Sequence, residues 1–229
     1  MVTPPSRPLR AVLFDMDGTL VDSEKIWDIA LADLAAKLGG RLSPATRAAM
    51  IGGNLYDSVT MVHDDLGVTA DPHASGRFLL ERTRVYFARG LPWRPGAKEL
   101  LDAVRAAGLP AALVTSTHRH LVDLALRTIG SHYFDAVICG DEVTHNKPHP
   151  ESYRRAAELL GLTPESCVAV EDSPTGAASA EAAGCVVLAV PAEIPVPAGV
   201  RRMIRTSLVG VTVEYLTDLH GSLDHNAVP

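Results

Sequence analysis

A short apolar run that ends at two carboxylates limits the folds open to this chain more than any other segment. Residues Ala11–Phe14 are apolar and too few for a helix, which is typical of a strand buried on both faces of a parallel sheet. Asp15 and Asp17 follow at once, and Gly18 then allows the backbone to turn. The carboxyl ends of such strands face the ligand crevice, where a cation would relieve the repulsion between the acids. An acidic surface turn is the alternative that these residues alone leave open.

The composition is that of a globular protein without a basic surface. The 229 residues are 47% hydrophobic and 21% charged, and the formal net charge is -6. A negative chain offers no electrostatic footprint for nucleic acid, and no apolar run approaches the roughly 20 residues of a membrane span. The three scattered cysteines, Cys139, Cys167 and Cys185, are expected to be buried free thiols. We therefore expect a cytoplasmic monomer or weak dimer that binds neither nucleic acid nor membranes.

Helix and strand patterns alternate along most of the chain, but not in its first third. Over residues 92–210 the two patterns alternate, which predicts an α/β fold with a parallel sheet covered by helices on both faces. Residues 23–91 instead carry four consecutive helical patterns with no strand pattern between them. We therefore predict an α/β core over residues 9–22 and 92–210, interrupted by a helical domain at 23–91. Residues 1–8 and 220–229 are expected to be flexible.

Polar residues also end the second strand predicted for the core. Thr115 and Ser116 follow the apolar run Ala111–Val114 and precede a helical pattern. Hydroxyls at a strand end beside a helix N-terminus can donate, together with backbone N–H groups, to the oxygens of a phosphate group. Simple capping of the following helix is the alternative. The pattern favours a phosphate site at this edge of the sheet only if other binding groups meet there.

Two further loops supply such groups. Lys147 would usually be interpreted as a solvated surface charge, but Pro148 restricts its backbone to extended conformations and helps to fix its direction. Glu171 and Asp172 end the next apolar strand, so two acids again terminate a buried segment. The preference of acids for a helix N-terminus accounts for one of them but not for both. A cation beside this pair is therefore the favoured interpretation.

These four segments, in this order, resemble the motifs of the haloacid dehalogenase superfamily, in the branch that contains β-phosphoglucomutase and many sugar phosphatases. The resemblance covers about residues 10–208. It implies a Rossmann-like parallel sheet and a small four-helix cap domain that is inserted after the first strand and closes over the site. The matching segments are Asp-x-Asp-Gly-Thr from Asp15, the hydroxyl residue Thr115 after its strand, Lys-Pro-x-Pro-x-x-Tyr from Lys147, and Glu-Asp-Ser-x-x-Gly from Glu171.

The resemblance also implies a reaction and the residues that carry it. Asp15 would be the nucleophile that forms an aspartyl-phosphate, and Asp17 the acid and base. Lys147 and Thr115 would stabilise the transferring phosphoryl group. Phosphate contacts are expected from Thr115, Ser116, Lys147 and Gly18.

Mg2+ is the cofactor that the resemblance implies, because the donor groups are all oxygens. The implied ligands are the side chains of Asp15 and Asp172 and the backbone carbonyl of Asp17. Glu171 is expected to act through a water molecule.

The helical insert supplies two candidates for substrate contact. Trp27 lies close to the first motif and would wall the pocket, although it could equally belong to the core of the insert. Arg82 would face the active site and hold distal anionic or hydroxyl groups of the substrate. By contrast, His118 and His120 lack further soft ligands and are expected at the protein surface.

The predicted function is Mg2+-dependent hydrolysis of small phosphate monoesters, in particular sugar phosphates. A phosphomutase of the β-phosphoglucomutase type would use the same core residues. That family, however, usually has His where this chain has Trp27, and an Arg in the cap near residues 52–55, and neither is present here. A non-catalytic binding relative is the further alternative; it would be expected to lack a motif residue, and none is lost.

Overall fold

A six-stranded parallel sheet forms the centre of the fold in a computed structural model that describes residues 8–51 and 53–224. The strand order is β3-β2-β1-β4-β5-β6, so β1 lies between β2 and β4. Because every pairing is parallel, the carboxyl ends of the strands share one edge of the sheet. The strands are β1 (Ala11–Phe14), β2 (Ala111–Val114), β3 (Ala136–Ile138), β4 (Cys167–Glu171), β5 (Val186–Ala189) and β6 (Arg202–Ile204).

Helices cover both faces of this sheet, as the alternating pattern predicts. Val12 and Phe14 of β1 pack in one hydrophobic core with α5, α6 and α9, while Ala11 and Leu13 pack in a second core with α7 and α8. The strand is therefore buried on both faces, which is why it contains no polar residue. The helices are α1 (Glu24–Lys37), α2 (Pro44–Ala49), α3 (Leu55–Leu66), α4 (Pro72–Phe87), α5 (Ala97–Ala106), α6 (Arg119–Ile129), α7 (Glu151–Leu159), α8 (Pro174–Ala183) and α9 (Val213–Asp224).

Helices α1 to α4 follow β1 directly and have a hydrophobic core of their own. Leu34 of α1, Val59 and Val62 of α3, and Leu79 of α4 are buried against one another. Ser43 caps α2 and Asn54 caps α3, each by accepting a backbone N–H through its side chain. The division of the chain at residues 23–91 stays a prediction, and these four helices are the elements that it would place in the cap.

The carboxyl-terminal part of the described chain differs from the prediction. The prediction that residues 220–229 are flexible is wrong for residues 220–224, because α9 continues to Asp224. His220 is buried there, and its Nε2 donates to the Glu165 carbonyl at 2.8 Å. The predicted core also ended at residue 210 and left out α9, whose Leu216 and Leu219 bury an apolar face against the sheet. Residues 1–7 and 225–229 lie outside the described residues, so the prediction for them is untested.

Two predictions from composition can be compared with the structure. All three cysteines are buried and none is in a disulfide, as expected. Among the helices of the described chain, none combines the length and the apolar character needed to cross a bilayer. The cytoplasmic location, the oligomeric state and the absence of nucleic-acid binding stay predictions.

Candidate active site

Three carboxylates from two neighbouring strands meet where β1 and β4 end. Phe14 pairs with Val170 across the sheet, so the next residues, Asp15 and Glu171, lie side by side, and Asp172 follows. One oxygen atom from each of the three acids lies within 4.8 Å of the other two. Their exposed fractions are only 6%, 0% and 5%, respectively. Burying three like charges together is unfavourable unless cations compensate them.

One of these cations is Lys147, which is buried and not a surface residue. Its Nζ donates to Asp15 Oδ1 at 2.7 Å, to Glu171 Oε1 at 2.6 Å and to the Val114 carbonyl at 2.9 Å. All three ammonium protons are thereby used, and the ion lies between the ends of β1, β2 and β4. Lys147 therefore holds the predicted nucleophile in place and partly neutralises it.

The positive charge of one lysine does not balance the three carboxyl groups of this cluster. Burial raises the pKa of Asp15 to about 7 against the opposing effect of Lys147, and Glu171 and Asp17 add to the rise. Burial, followed by Asp15 and Glu171, also raises the pKa of Asp172 well above its ordinary range. Although burial favours a neutral amine, the two adjacent carboxylates hold the pKa of Lys147 above its usual value. The site is short of positive charge, and its all-oxygen donors fit Mg2+.

Of the three clustered acids, Glu171 is the one whose oxygens accept the most hydrogen bonds from protein donors. Its Oε1 accepts from Lys147 and, at 2.5 Å, from the Tyr153 hydroxyl. Its Oε2 accepts from the Ser173 hydroxyl at 3.4 Å and from the Asp172 N–H at 3.3 Å. Glu171 therefore directly positions Lys147, and its expected contact with a metal ion through water stays a prediction.

Gly18 has a different role from the predicted phosphate contact. Its N–H already donates to the Val21 carbonyl at 2.8 Å, so this donor is not available to a phosphate oxygen. Its φ of 77° is in the left-handed region that favours glycine. A Cβ atom here would lie 2.2 Å from Asp172 Oδ2. Gly18 therefore allows the loop after β1 to turn and to approach the acids after β4.

Hydroxyl and indole donors from both sides of the site hold Asp17. Its Oδ1 accepts from the Ser23 hydroxyl at 2.5 Å and from Trp27 Nε1 at 3.3 Å. Its Oδ2 accepts from the hydroxyls of Thr117 at 2.8 Å and Thr115 at 3.3 Å. Neither Ser23 nor Thr117 is among the site residues predicted from the sequence. The signal for Ser23 lies in the structure of α1, where it is the N-cap residue but makes no capping hydrogen bond.

The loop that carries Lys147 is fixed by the first residue of α7. The Glu151 carboxylate accepts from the N–H groups of Thr144 at 2.8 Å and His145 at 2.9 Å. His145, His149 and Glu151 also bring possible metal ligands within 4.8 Å of one another. Both histidines are exposed, and the carboxylate is already used in holding the loop. The structural role of Glu151 explains this group without a metal ion.

A cavity opens between the strand ends and the helices α1 to α4. Ser116 and Trp27 line it, as expected, together with Asp15, Asp17, Thr115, Lys147 and Asp172. His118 also lines it, whereas the sequence predicted a surface position, and burial lowers the pKa of its imidazole. His118 follows the hydroxyl residues after β2 and so begins α6 at the sheet edge, which explains its location.

Arg82, which the sequence predicts to contact the substrate, does not line the cavity. Its Nε donates to Asp33 Oδ2 at 2.5 Å with 42% of the side chain exposed. The buried face of α4 is formed by Leu79, Thr83 and Phe87, and Arg82 turns away from it toward α1. The predicted substrate contact from Arg82 is therefore wrong in this structure.

Arg47 of α2 takes the place that Arg82 was expected to fill. It lines the cavity, its Nε contacts the Asp28 carboxylate, and its guanidinium donates to Glu193 Oε2 at 2.7 Å. Nothing in the local sequence of α2 points to this role, because both partners come from other segments. Only the packing of the insert on the core brings them together.

Comparison with known proteins gives results that agree with this geometry. The model of the haloacid dehalogenase-like hydrolases matches residues 9–184. Hexitol phosphatase A from Escherichia coli K12 is 34% identical over 209 residues, which cover 91% of this chain and 93% of that protein. CbbY from Rhodobacter sphaeroides, solved in complex with phosphate, superposes with a TM-score of 0.77 at 27% identity, covering 88% of this chain and 96% of that one. A β-phosphoglucomutase from Clostridium difficile superposes with a TM-score of 0.80 at 18% identity, covering 93% of this chain and 98% of that one. This similarity shows the fold alone.

Proposed function

The chain belongs to the haloacid dehalogenase-like hydrolases, and from that premise we propose that it hydrolyses sugar phosphates with Mg2+ through an aspartyl-phosphate. Phosphatase activity on phosphorylated carbohydrates is supported by the relationship to hexitol phosphatase A. The observation that carries the finer proposal is the buried cluster of Asp15, Lys147, Glu171 and Asp172 at the floor of a cavity. It combines a carboxylate nucleophile with an excess of negative charge that a divalent cation would balance.

The chain offers a complete set of ligands for Mg2+. The side chains of Asp15 and Asp172 and the backbone carbonyl of Asp17 would hold the ion, with Glu171 contributing through water. When bound, Mg2+ supplies positive charge opposite the phosphoryl oxygens and the nucleophile.

The first step of the proposed reaction transfers the phosphoryl group to the protein. An Asp15 carboxylate oxygen attacks phosphorus while the bond from phosphorus to the sugar oxygen breaks, and Asp17 gives its proton to that oxygen. The ammonium of Lys147 and the hydroxyl group of Ser116 stabilise the phosphoryl oxygens as charge develops on them, and the Thr115 hydroxyl joins them by exchanging its long hydrogen bond to Asp17 for one to a phosphoryl oxygen.

The second step restores the protein. Asp17 takes a proton from water as the water oxygen attacks the phosphorus of the aspartyl-phosphate. The acyl phosphate bond breaks, inorganic phosphate leaves, and the Asp15 carboxylate is free again. The four hydrogen bonds to Asp17 support this assignment, because they fix the carboxyl group beside the cavity in which the leaving oxygen would lie.

A mutase of the β-phosphoglucomutase type is less well supported. A mutase must hold a second phosphate group on the side of the cavity away from the nucleophile. Arg47 is the guanidinium that lines the described cavity, and two carboxylates already contact it. Trp27 also lines the cavity in the position where that family usually has His, and its indole N–H is directed to Asp17.

The test is phosphate release from a panel of sugar and polyol monophosphates, with Mg2+ or with EDTA. We expect Mg2+-dependent release by the native protein and a loss of kcat on the order of 10³-fold or more in Asp15→Asn. Asp33→Asn, which removes a carboxylate outside the cavity, should retain the native rate.

Full activity in EDTA, or a native rate in Asp15→Asn, would contradict the mechanism. Glucose 6-phosphate formed from β-glucose 1-phosphate with little free phosphate would instead indicate a mutase. No turnover of any compound in the panel would support the non-catalytic alternative.

A further inference from the structure

A second group of charged side chains borders the cavity and takes no part in the proposed chemistry. Glu24 and Asp28 come from α1, Arg47 comes from α2, and Glu193 comes from the loop after β5. We call these four residues the Arg47 cluster. Arg47 contacts Asp28 and donates to Glu193 at 2.7 Å, and Glu24 shares a hydrogen bond with Glu193. Segments that lie far apart in the sequence thus meet at a single guanidinium.

The charge balance of the Arg47 cluster is negative. Three carboxyl groups and one guanidinium make up the cluster, so its own four residues carry a net negative charge; Arg94 also acts on Glu24, but it does not line the cavity. Burial, followed by the charge of Glu193, raises the pKa of Glu24 to about 7, which is consistent with a proton shared by Glu24 and Glu193. Asp28 and Glu193 contact two of the five N–H donors of Arg47, and carboxylates placed so close to the guanidinium oppose the approach of an incoming anion to the remaining donors.

The rest of the wall on the side of the insert is uncharged. Trp27, Leu31, Met50 and Leu55 present apolar surface to the cavity. A phosphate or carboxylate group placed there would lose hydration and meet carboxylates without gaining a free cation. A hydroxyl group, by contrast, can donate to a carboxylate oxygen and accept from a guanidinium, while its carbon atoms pack against the apolar residues.

We propose that the Arg47 cluster selects substrates whose second end is an uncharged, polyhydroxylated group and rejects those that carry a second anionic group. This inference rests on the proposed phosphatase function and names the substrate class of the same cavity. Asp28 and Glu193 act as specificity residues in two ways: their oxygens accept hydrogen bonds from substrate hydroxyls, and their charges keep Arg47 from binding a second phosphate.

The experiment compares kcat/KM for fructose 1-phosphate and fructose 1,6-bisphosphate, which differ by one phosphate group. We expect the native protein to favour the monophosphate by at least about tenfold, since like charges placed close together in a partly buried site repel by more than 1 kcal/mol. In Asp28→Asn/Glu193→Gln, Arg47 gains free donors, and the preference should fall by about tenfold, mainly through a lower KM for the bisphosphate. Glu193→Gln alone should lower the preference for the monophosphate by a smaller factor. This single variant replaces the double variant in the test if the double variant does not fold.

Asp33→Asn is the matched control, because it frees Arg82 from its carboxylate partner outside the cavity. It should leave the ratio of the two kcat/KM values unchanged. A native protein that hydrolyses both compounds equally well, or variants that keep the native ratio, would overturn the inference while leaving the phosphatase function intact. Failure of the native protein to hydrolyse any monophosphate would instead refute the proposed function itself.

Discussion

The two charged clusters that border the cavity are built from different kinds of structure. Asp15, Lys147 and Glu171 meet at adjacent strand ends, and at most 9% of each side chain is exposed. Arg47, Asp28 and Glu193 come from two helices and a loop, and their side chains are 24%, 39% and 34% exposed. The register of the sheet fixes the two carboxylates of the first cluster, and Lys147 reaches them from the loop between β3 and α7, whereas helix packing fixes the second cluster. The carboxylates that the chemistry needs thus lie on the rigid sheet, and groups that select the substrate lie where the packing can change.

The largest effect expected from this difference is on folding stability. Lys147→Met removes the cation between two buried carboxylates and should lower the free energy of unfolding by about 3 kcal/mol, as well as abolishing activity. Lys98→Met is the control, because it breaks an exposed pair with Asp102 one helical turn away and should cost less than about 0.5 kcal/mol. Urea denaturation of the two variants without Mg2+ measures both values. Equal losses would show that burial does not distinguish the two ion pairs.

The same difference decides what could be predicted from the sequence. Asp15, Thr115 and Glu171 were found because each ends or follows an apolar strand, and parallel strands bring their carboxyl ends to one edge. The position of Lys147 needed more than periodicity, because it lies in the loop before α7 and not at the end of a strand. There, the resemblance to a family motif and the following proline provided the prediction.

The residues that select the substrate were missed for a physical reason. Arg47 and Glu193 are 146 residues apart, and their contact depends on how α2 packs against the loop after β5. No periodic pattern in one segment encodes such a contact. The sequence predicts a substrate contact from Arg82 because of its position in the fourth helix of the insert. Its partner Asp33, however, lies on α1 outside the cavity. The sequence prediction places no helix after residue 210, where the structure has α9.

A smaller effect tests whether the insert contributes to the chemistry through Asp17. Ser23→Ala removes the hydroxyl that donates to Asp17 at 2.5 Å, and it should lower kcat several-fold to about tenfold, because a hydrogen bond to a charged group contributes about 1.5 kcal/mol or more. KM should change little, because Ser23 does not line the cavity. Stability should change little, because Ser23 makes no capping hydrogen bond.

Ser43→Ala supplies the matched control for that prediction. Ser43 is the N-cap of α2 and accepts the Thr46 N–H at 3.1 Å, so its loss should cost about 1 kcal/mol of stability without lowering kcat. If Ser23→Ala destabilised the protein and left kcat unchanged, Ser23 would be only a structural residue of α1.

The smallest effect concerns the pH dependence of stability at the Arg47 cluster. Burial and the charge of Glu193 raise the pKa of Glu24 from 4.5 to about 7, while Arg47 and Arg94 oppose the rise. Because the folded state then binds the Glu24 proton more tightly than the unfolded state, this group favours folding most below about pH 4.5, and that contribution is lost as the pH rises through 7. Glu24→Gln should therefore lose less stability between pH 5 and pH 8 than the native protein does.

Unfolding in urea at these two pH values, in EDTA, measures the difference. Asp15 has a pKa raised to about 7 in both proteins, so its contribution is removed by subtraction. Glu24 also helps to raise the pKa of Asp172, so the difference between the proteins measures Glu24 together with its effect on Asp172. Parallel losses in the two proteins would show that Glu24 titrates as an ordinary exposed acid. The Arg47 cluster would then carry more negative charge at neutral pH, and its discrimination against a second phosphate group should be correspondingly stronger. The comparison of fructose 1-phosphate with its bisphosphate at pH 6 and pH 8 would separate the two cases when it is made for both proteins. The distal phosphate group itself ionises further over this range in both, so a Glu24 that titrates near pH 7 makes the preference for the monophosphate increase more in the native protein than in Glu24→Gln.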